Sequence, residues 1–245
     1  MSVSTPIAPG TDIRSLFAAA YNNRYTWDPG FGGYSGRCLW SQGDQQVEGR
    51  FQVGSDLKAE IQGISDENVH KAVASQLWEV CIHRVRRPFE VTHKENQFSA
   101  GDSTDEGLEV LVGGKGTGDK YRIKDDVVTM VHRHIHGTVV TIHTEEVTDT
   151  GSGYLSKRYS SQYADPASGE AKGGLNHFID TFAPLAKGGP GCSASGSSAP
   201  TPSETAQLAS KPFVSSICRP TELKLALTCD LWHHPSDSRG MVWSD

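Results

Sequence analysis

The most regular hydrophobic and polar patterning in the chain lies between Asp125 and Val147, DDVVTMVHRHIHGTVVTIHTEEV, where two alternating runs meet at His136 and Gly137. In the first run Val131, Arg133 and Ile135 alternate with Met130, His132 and His134; in the second Val140 and Ile142 alternate with Val139, Thr141 and His143. Period-two alternation marks strands with two different faces. A loop closed on His136 and Gly137 pairs Val131 with Ile142, Arg133 with Val140 and Ile135 with Thr138 on one face. The other face then carries Met130 beside His143, His132 beside Thr141 and His134 beside Val139. Three histidines therefore share one side of a hairpin whose other side is mostly apolar.

The rest of the pattern surrounds this hairpin with strands and two helices. Thr11 or Asp12 can cap a helix that places Ile13, Leu16, Phe17, Ala20 and Tyr21 on one side. The run Arg24 to Tyr34, RYTWDPGFGGY, ends it with a proline and glycines and concentrates aromatic rings. Strands are predicted at Tyr34 to Ser41, Val47 to Val53 and Leu57 to Ile64, with links short enough for antiparallel neighbours. Ser65, Asp66 and Glu67 start a second helix, expected to run to about Arg86 and to end before Pro88. Its apolar stripe is Val69, Ala72, Val73, Leu77, Val80 and Cys81, widened by Trp78, Ile82 and Val85.

From Glu90 onward the chain reads as strand after strand: Leu108 to Val112, Lys120 to Lys124, the histidine hairpin, Tyr154 to Tyr163 and Glu170 to Phe182. The expected core includes Val73, Leu77, Val80, Val131, Ile135, Val140 and Ile142. The elements predict an α+β fold, a single curved antiparallel sheet with an N-terminal helix and one longer helix packed on it. Residues 1–11 are read as a flexible start and 12–187 as the domain. After about Lys187 periodicity disappears, and 188–245 reads as a disordered tail with scraps such as LKLAL.

Composition narrows the functional classes. At 245 residues the chain can bury a sizeable core without covalent staples. A formal net charge of -6 with no long basic run disfavours a nucleic-acid partner. The start MSVSTPIAPGTD lacks the basic and apolar regions of a secretory signal, and no segment approaches the roughly 18 apolar residues of a membrane span, so a cytoplasmic location is expected. Five cysteines without CxxC spacing argue against a disulfide framework and a structural zinc site.

The candidate chemistry is correspondingly sparse. The run GGKGTGD has Gly116 after Lys115, where a phosphate-binding loop needs Ser or Thr before a helix, and reads as a hairpin turn. Cys81 and His83, two apart on a helix, point in different directions, and Cys81 falls on the buried stripe. No GxSxG nucleophile occurs. Two candidate sites remain. Arg84 and Arg87 could clamp a carboxylate or another anion, although arginines at a helix end often only complement its dipole. His132, His134 and His143 could bind a partner, respond to pH, or with Glu145 hold a metal ion.

Several stretches resemble an uncharacterised family of cyanobacteria and plastids, the domain of unknown function 3386: RYTWDPGFGGY, QLWEVCIHRVRRPFE, LVGGKGTGDKYRI, VTMVHRHIHGTVVTIHT, GYLSKRY and YADPASGEAKGG. The resemblance spans about residues 12 to 187 and brings no activity, cofactor or catalytic residue with it. Its members continue past the Gly188 to Pro190 match with another apolar strand, so residues 188–245 are read either as a disordered extension or as a frame-shifted version of those strands. The order of helices and strands also resembles the half-barrel of bacterial lipoprotein carriers, which hold acyl chains. Together these readings favour a non-enzymatic binding or assembly module with an apolar groove for a small molecule or protein partner, without a cofactor. The alternative is a metal-binding protein or metal-dependent enzyme using the strand histidines.

Overall fold

The computed structural model describes residues 12–42, 44–184, 213–218 and 223–230. Three helices and twelve strands form an α+β fold, and every pairing of neighbouring strands is antiparallel. The helices are α1 (Ile13–Asn22), α2 (Glu67–Ile82) and the single turn α3 (Phe89–Thr92). The strands before α2 are β1 (Tyr34–Gln42), β2 (Gln45–Val53) and β3 (Ala59–Gln62). After α3 come β4 (Asn96–Thr104), β5 (Gly107–Gly114), β6 (Lys120–Lys124), β7 (Val127–Ile135), β8 (Thr138–Asp149), β9 (Tyr154–Ala164) and β10 (Ala171–Pro184). The last two are β11 (Phe213–Cys218) and β12 (Leu223–Asp230). They form one curved, open sheet in the order β3-β2-β1-β12-β11-β10-β9-β8-β7-β6-β5-β4.

Local chemistry explains the element ends. Asp12 caps α1 by accepting the Arg14 N–H, and Asp66 caps α2 by accepting from Asn68 and Val69, which satisfies amides that lack helical partners. The helix α2 stops at Ile82, short of the expected Arg86, because the Arg84 and Val85 amides turn back in a tighter pattern onto Cys81 and Ile82. The strand β3 is shorter than expected because Leu57 has φ 61°, outside strand geometry. Phe89–Thr92, expected as extended chain, is helical because Pro88 starts a turn that buries Phe89.

One face of the sheet, here the inner face, carries the helices: α1 packs on β4, β6 and β7, and α2 on β1 and β3. Two buried clusters result. Under α2, Val73, Leu77, Val80 and Cys81 meet Tyr34, Cys38, Trp40, Phe51, Val53, Leu155 and Phe178. Under α1 and α3, Phe17, Ala20 and Phe89 meet Val110, Val112, Tyr121, Ile123 and Val128. Val73, Leu77, Val80 and Val140 are buried as expected, whereas Val131 and Ile142 are only half-buried. Ile135 departs from the expected core at 39% exposure, since it sits at the hairpin tip, the last residue of its strand.

Residues 1–11 lie outside the described residues, as does most of the segment expected to be a tail. Two pieces of that segment are described: β11 and β12, the latter containing LKLAL, lie between β10 and β1. Among the described residues no helix is long and apolar enough to cross a membrane.

Candidate functional site

The β7–β8 hairpin has the register its alternation predicts, from Met130 opposite His143 to Ile135 opposite Thr138. His136 and Gly137 both have positive φ, 48° and 74°, the pair a two-residue turn needs to follow the strand twist. His132, His134 and His143 therefore share the outer face. Each imidazole there has its own partner. His132 Nδ1 lies 2.8 Å from Thr141 Oγ1, and burial, followed by the neighbouring His134, lowers its pKa. Asp119 accepts the His134 backbone N–H at 2.9 Å, lies 3.3 Å from His134 Nδ1 and 3.4 Å from Arg133 Nε. His143 sits 4.0 Å from Glu106.

The sheet adds a residue that the alternation did not reveal. Across β9, His143 stands opposite Ser160, and Ser160 opposite His177, so these three form a row on the outer face. A register shift between Lys172 and Asn176 sets which face of β10 His177 occupies, and no sequence periodicity records such a shift. Asp119 was also missed, since it appeared only as the end of the glycine-rich turn. Among the described residues no three His, Cys, Asp or Glu side chains form a group that could hold a metal ion. Glu145 is exposed.

The two arginines expected to act together differ in exposure. Arg87 is exposed, while Arg84 is 5% exposed and turns inward, its guanidinium 5.2 Å from the Trp27 ring and 5.4 Å from that of Phe182. Burial lowers its pKa, and Tyr34, Tyr25 and the buried Asp180 act in the opposite direction. Cys81 is buried with its thiol 4.0 Å from the Tyr34 hydroxyl, and burial pushes its pKa up to about 11, the opposite of nucleophile activation. The GGKGTGD run is the β5–β6 turn, with the Gly116 N–H donating to Asn96 Oδ1, and a strand follows it.

Between the two inner clusters lies a strip of floor. Cross-strand pairing aligns Tyr121, Val131, Ile142, Ser161 and Asn176 in one row, and Arg133, Val140, Tyr163 and Lys172 in the next. A third row runs Thr144, Tyr159 and Phe178, the last two rings stacked at 4.7 Å. Ile142 belongs to neither cluster, and Tyr163 is 46% exposed.

The fold and this site define an α+β protein built on one curved antiparallel sheet with an apolar inner floor. The chain belongs to the family described as "Protein of unknown function (DUF3386)", whose model matches residues 8–189. No curated protein and no solved structure matches it.

Proposed function

We propose that the protein is a non-enzymatic binding module that holds the apolar chain of a single-chain anionic amphiphile on its inner floor, between α1 and α2. The observation that carries this reading is the strip Val131, Ile135, Ile142, Tyr159 and Tyr163. Apolar side chains remain half-buried or exposed there on the face that elsewhere is packed under helices. The row that crosses the strip at Tyr163 ends in a cation on each side, Arg133 and Lys172. The partner of Lys172 is Asp165 in an ion pair near the surface, which costs little to exchange for a ligand carboxylate, and Arg133, half exposed, is paired with Asp119. An apolar chain on the strip with its head toward that row satisfies both features.

The test is titration of the full chain with cis-parinaric acid, a fluorescent fatty acid. Saturable binding is expected, weakened at least about tenfold by Ile142→Lys, since a buried charge on an apolar site costs more than 1.4 kcal/mol. Tyr163→Ala, at the exposed rim, should weaken it with the fold intact. Leu39→Lys, on the outer face of β1, should leave it unchanged. Absence of saturable binding, or equal binding by the Ile142 and Tyr163 variants, overturns the reading.

A further inference from the structure

We propose that the corner where α2 leads into α3 is a docking surface for a bilayer containing anionic lipids. Trp78, on the outer side of α2, is 55% exposed, and Val91 of α3 is 68% exposed, the two largest exposures among the bulky apolar residues described. Between and beside them Arg86, Arg87 and Lys94 are exposed. The acids on α3 and just after it are engaged elsewhere, Glu90 by Arg14 and Glu95 by Lys115. Among the described residues Arg86, Arg87 and Lys94 form no ion pair with a carboxylate.

Arg87 shares one neighbourhood with Arg24 and Arg84 around His83. Burial first, and then the charges of Arg24, Arg84 and Arg87, disfavour the charged form of the His83 imidazole. Arg24 is held there by its stacking on Tyr21, 3.8 Å from ring centroid to guanidinium carbon, and by its bond to the Tyr21 carbonyl.

Exposed cations alone fit any polyanion; the apolar pair narrows the choice. A Trp ring is favoured at the level of lipid headgroups, where its apolar body and N–H are both accommodated, and nearby Arg and Lys meet the phosphates. A nucleic-acid backbone offers nothing comparable to Val91. The chain as a whole carries -6, so an anionic bilayer repels most of its surface and admits this corner, which fixes the orientation of approach. The corner is separate from the inner floor, and the inference does not depend on ligand binding there.

The experiment is co-sedimentation of the full chain with phosphatidylcholine vesicles, with and without phosphatidylglycerol, at two salt concentrations. Binding is expected only with phosphatidylglycerol and should weaken as salt rises. Each of Arg86→Gln and Arg87→Gln should lower the partition coefficient about fivefold, the effect of removing one cation at an anionic surface. Trp78→Ala should also weaken binding, with thermal unfolding of all variants unchanged. Absence of vesicle binding, equal binding to neutral vesicles, or variants that bind like the parent would each overturn the proposal. So would binding to a duplex oligonucleotide, without vesicles, that the same arginine substitutions abolish.

Discussion

Protonation of His93 should loosen the seat of α1 and α3 on the sheet. The ring is 6% exposed and enclosed by Phe17, Tyr21, Phe89, Phe98 and Tyr121, with centroid separations from 4.8 to 6.4 Å. Its polar connections define the protonation state. Asn96 Oδ1 accepts the Gly116 N–H at 3.0 Å, so the amide group of Asn96 donates to His93 Nδ1, also at 3.0 Å, and that nitrogen must be bare. A proton on Nδ1 breaks this chain of bonds and places a charge among aromatic rings. Burial, then Arg133, Arg24 and Arg14, lower the pKa from 6.5 to about 4, with Asp119 opposing. Because the unfolded chain takes up this proton at higher pH than the folded one, the stabilisation is complete above about pH 6.5 and is lost as pH falls towards 4. At about 1.36 kcal/mol per pH unit, the loss amounts to about 3 kcal/mol. Urea unfolding followed by circular dichroism at intervals from pH 7 to 4, on the parent and on His93→Gln, isolates the effect. Carboxylates whose pKa is lowered, such as Asp165, titrate in both proteins and drop out of the difference. The variant should be less stable at pH 7, and the gap should close by about 3 kcal/mol on acidification. A gap independent of pH would refute the argument.

Two further outcomes follow from the site geometry. Asp119→Ala removes the acceptor for the His134 N–H and the partner of Arg133, and should destabilise the protein by about 1–2 kcal/mol in urea unfolding. Cys81, buried and with its pKa raised to about 11, should resist iodoacetamide at pH 8 in the folded protein and react fully in urea, as read by peptide mass spectrometry.

The parts of the fold that the sequence disclosed are those in which one physical rule acts alone. The β7–β8 register followed from alternation and a two-residue turn, and the α2 face from apolar spacing and the Asp66 cap. Where rules compete, the reading failed. The strand β4, NQFSAGDST, is too polar for alternation to show, and it pairs at the sheet edge with a register shift of its own. Ile135 looked like core because of its face, yet burial also depends on how far along a strand the covering helix extends. The inward turn of Arg84 was equally hidden. In sequence it is one of three arginines near a helix end, and only the rings of Trp27 and Phe182, remote in the chain, distinguish it. The histidine face was visible in three of its members, but His177 joins it through pairing with β9 beyond a register shift.

The aromatic run RYTWDPGFGGY is where these separately readable pieces are joined. Within residues 12–184, β1 to β3 and β4 to β10 are two runs of strands, and β11 and β12, beyond the residues matching the family, stand between them. Hydrogen bonding within residues 12–184 therefore does not join β1 to β10; side-chain packing and the 24–34 segment do. Arg24 forms a bridge to Tyr154, the Tyr25 N–H donates to the Tyr154 carbonyl, and the Trp27 N–H donates to the Arg84 carbonyl. Trp27 Nε1 donates to the Cys81 carbonyl at the end of α2, and the Trp27 ring stacks on Phe31 at 4.1 Å. Gly153 permits the close approach: its φ is 129°, and a Cβ there would lie 2.6 Å from the Asn23 carbonyl oxygen. One segment thus ties α1, α2 and β9 together through backbone bonds, and its rings close the cluster under α2. The inner floor proposed to bind an apolar chain lies between two clusters whose spacing this segment holds, which gives the concentration of Tyr, Trp and Phe there a structural cause.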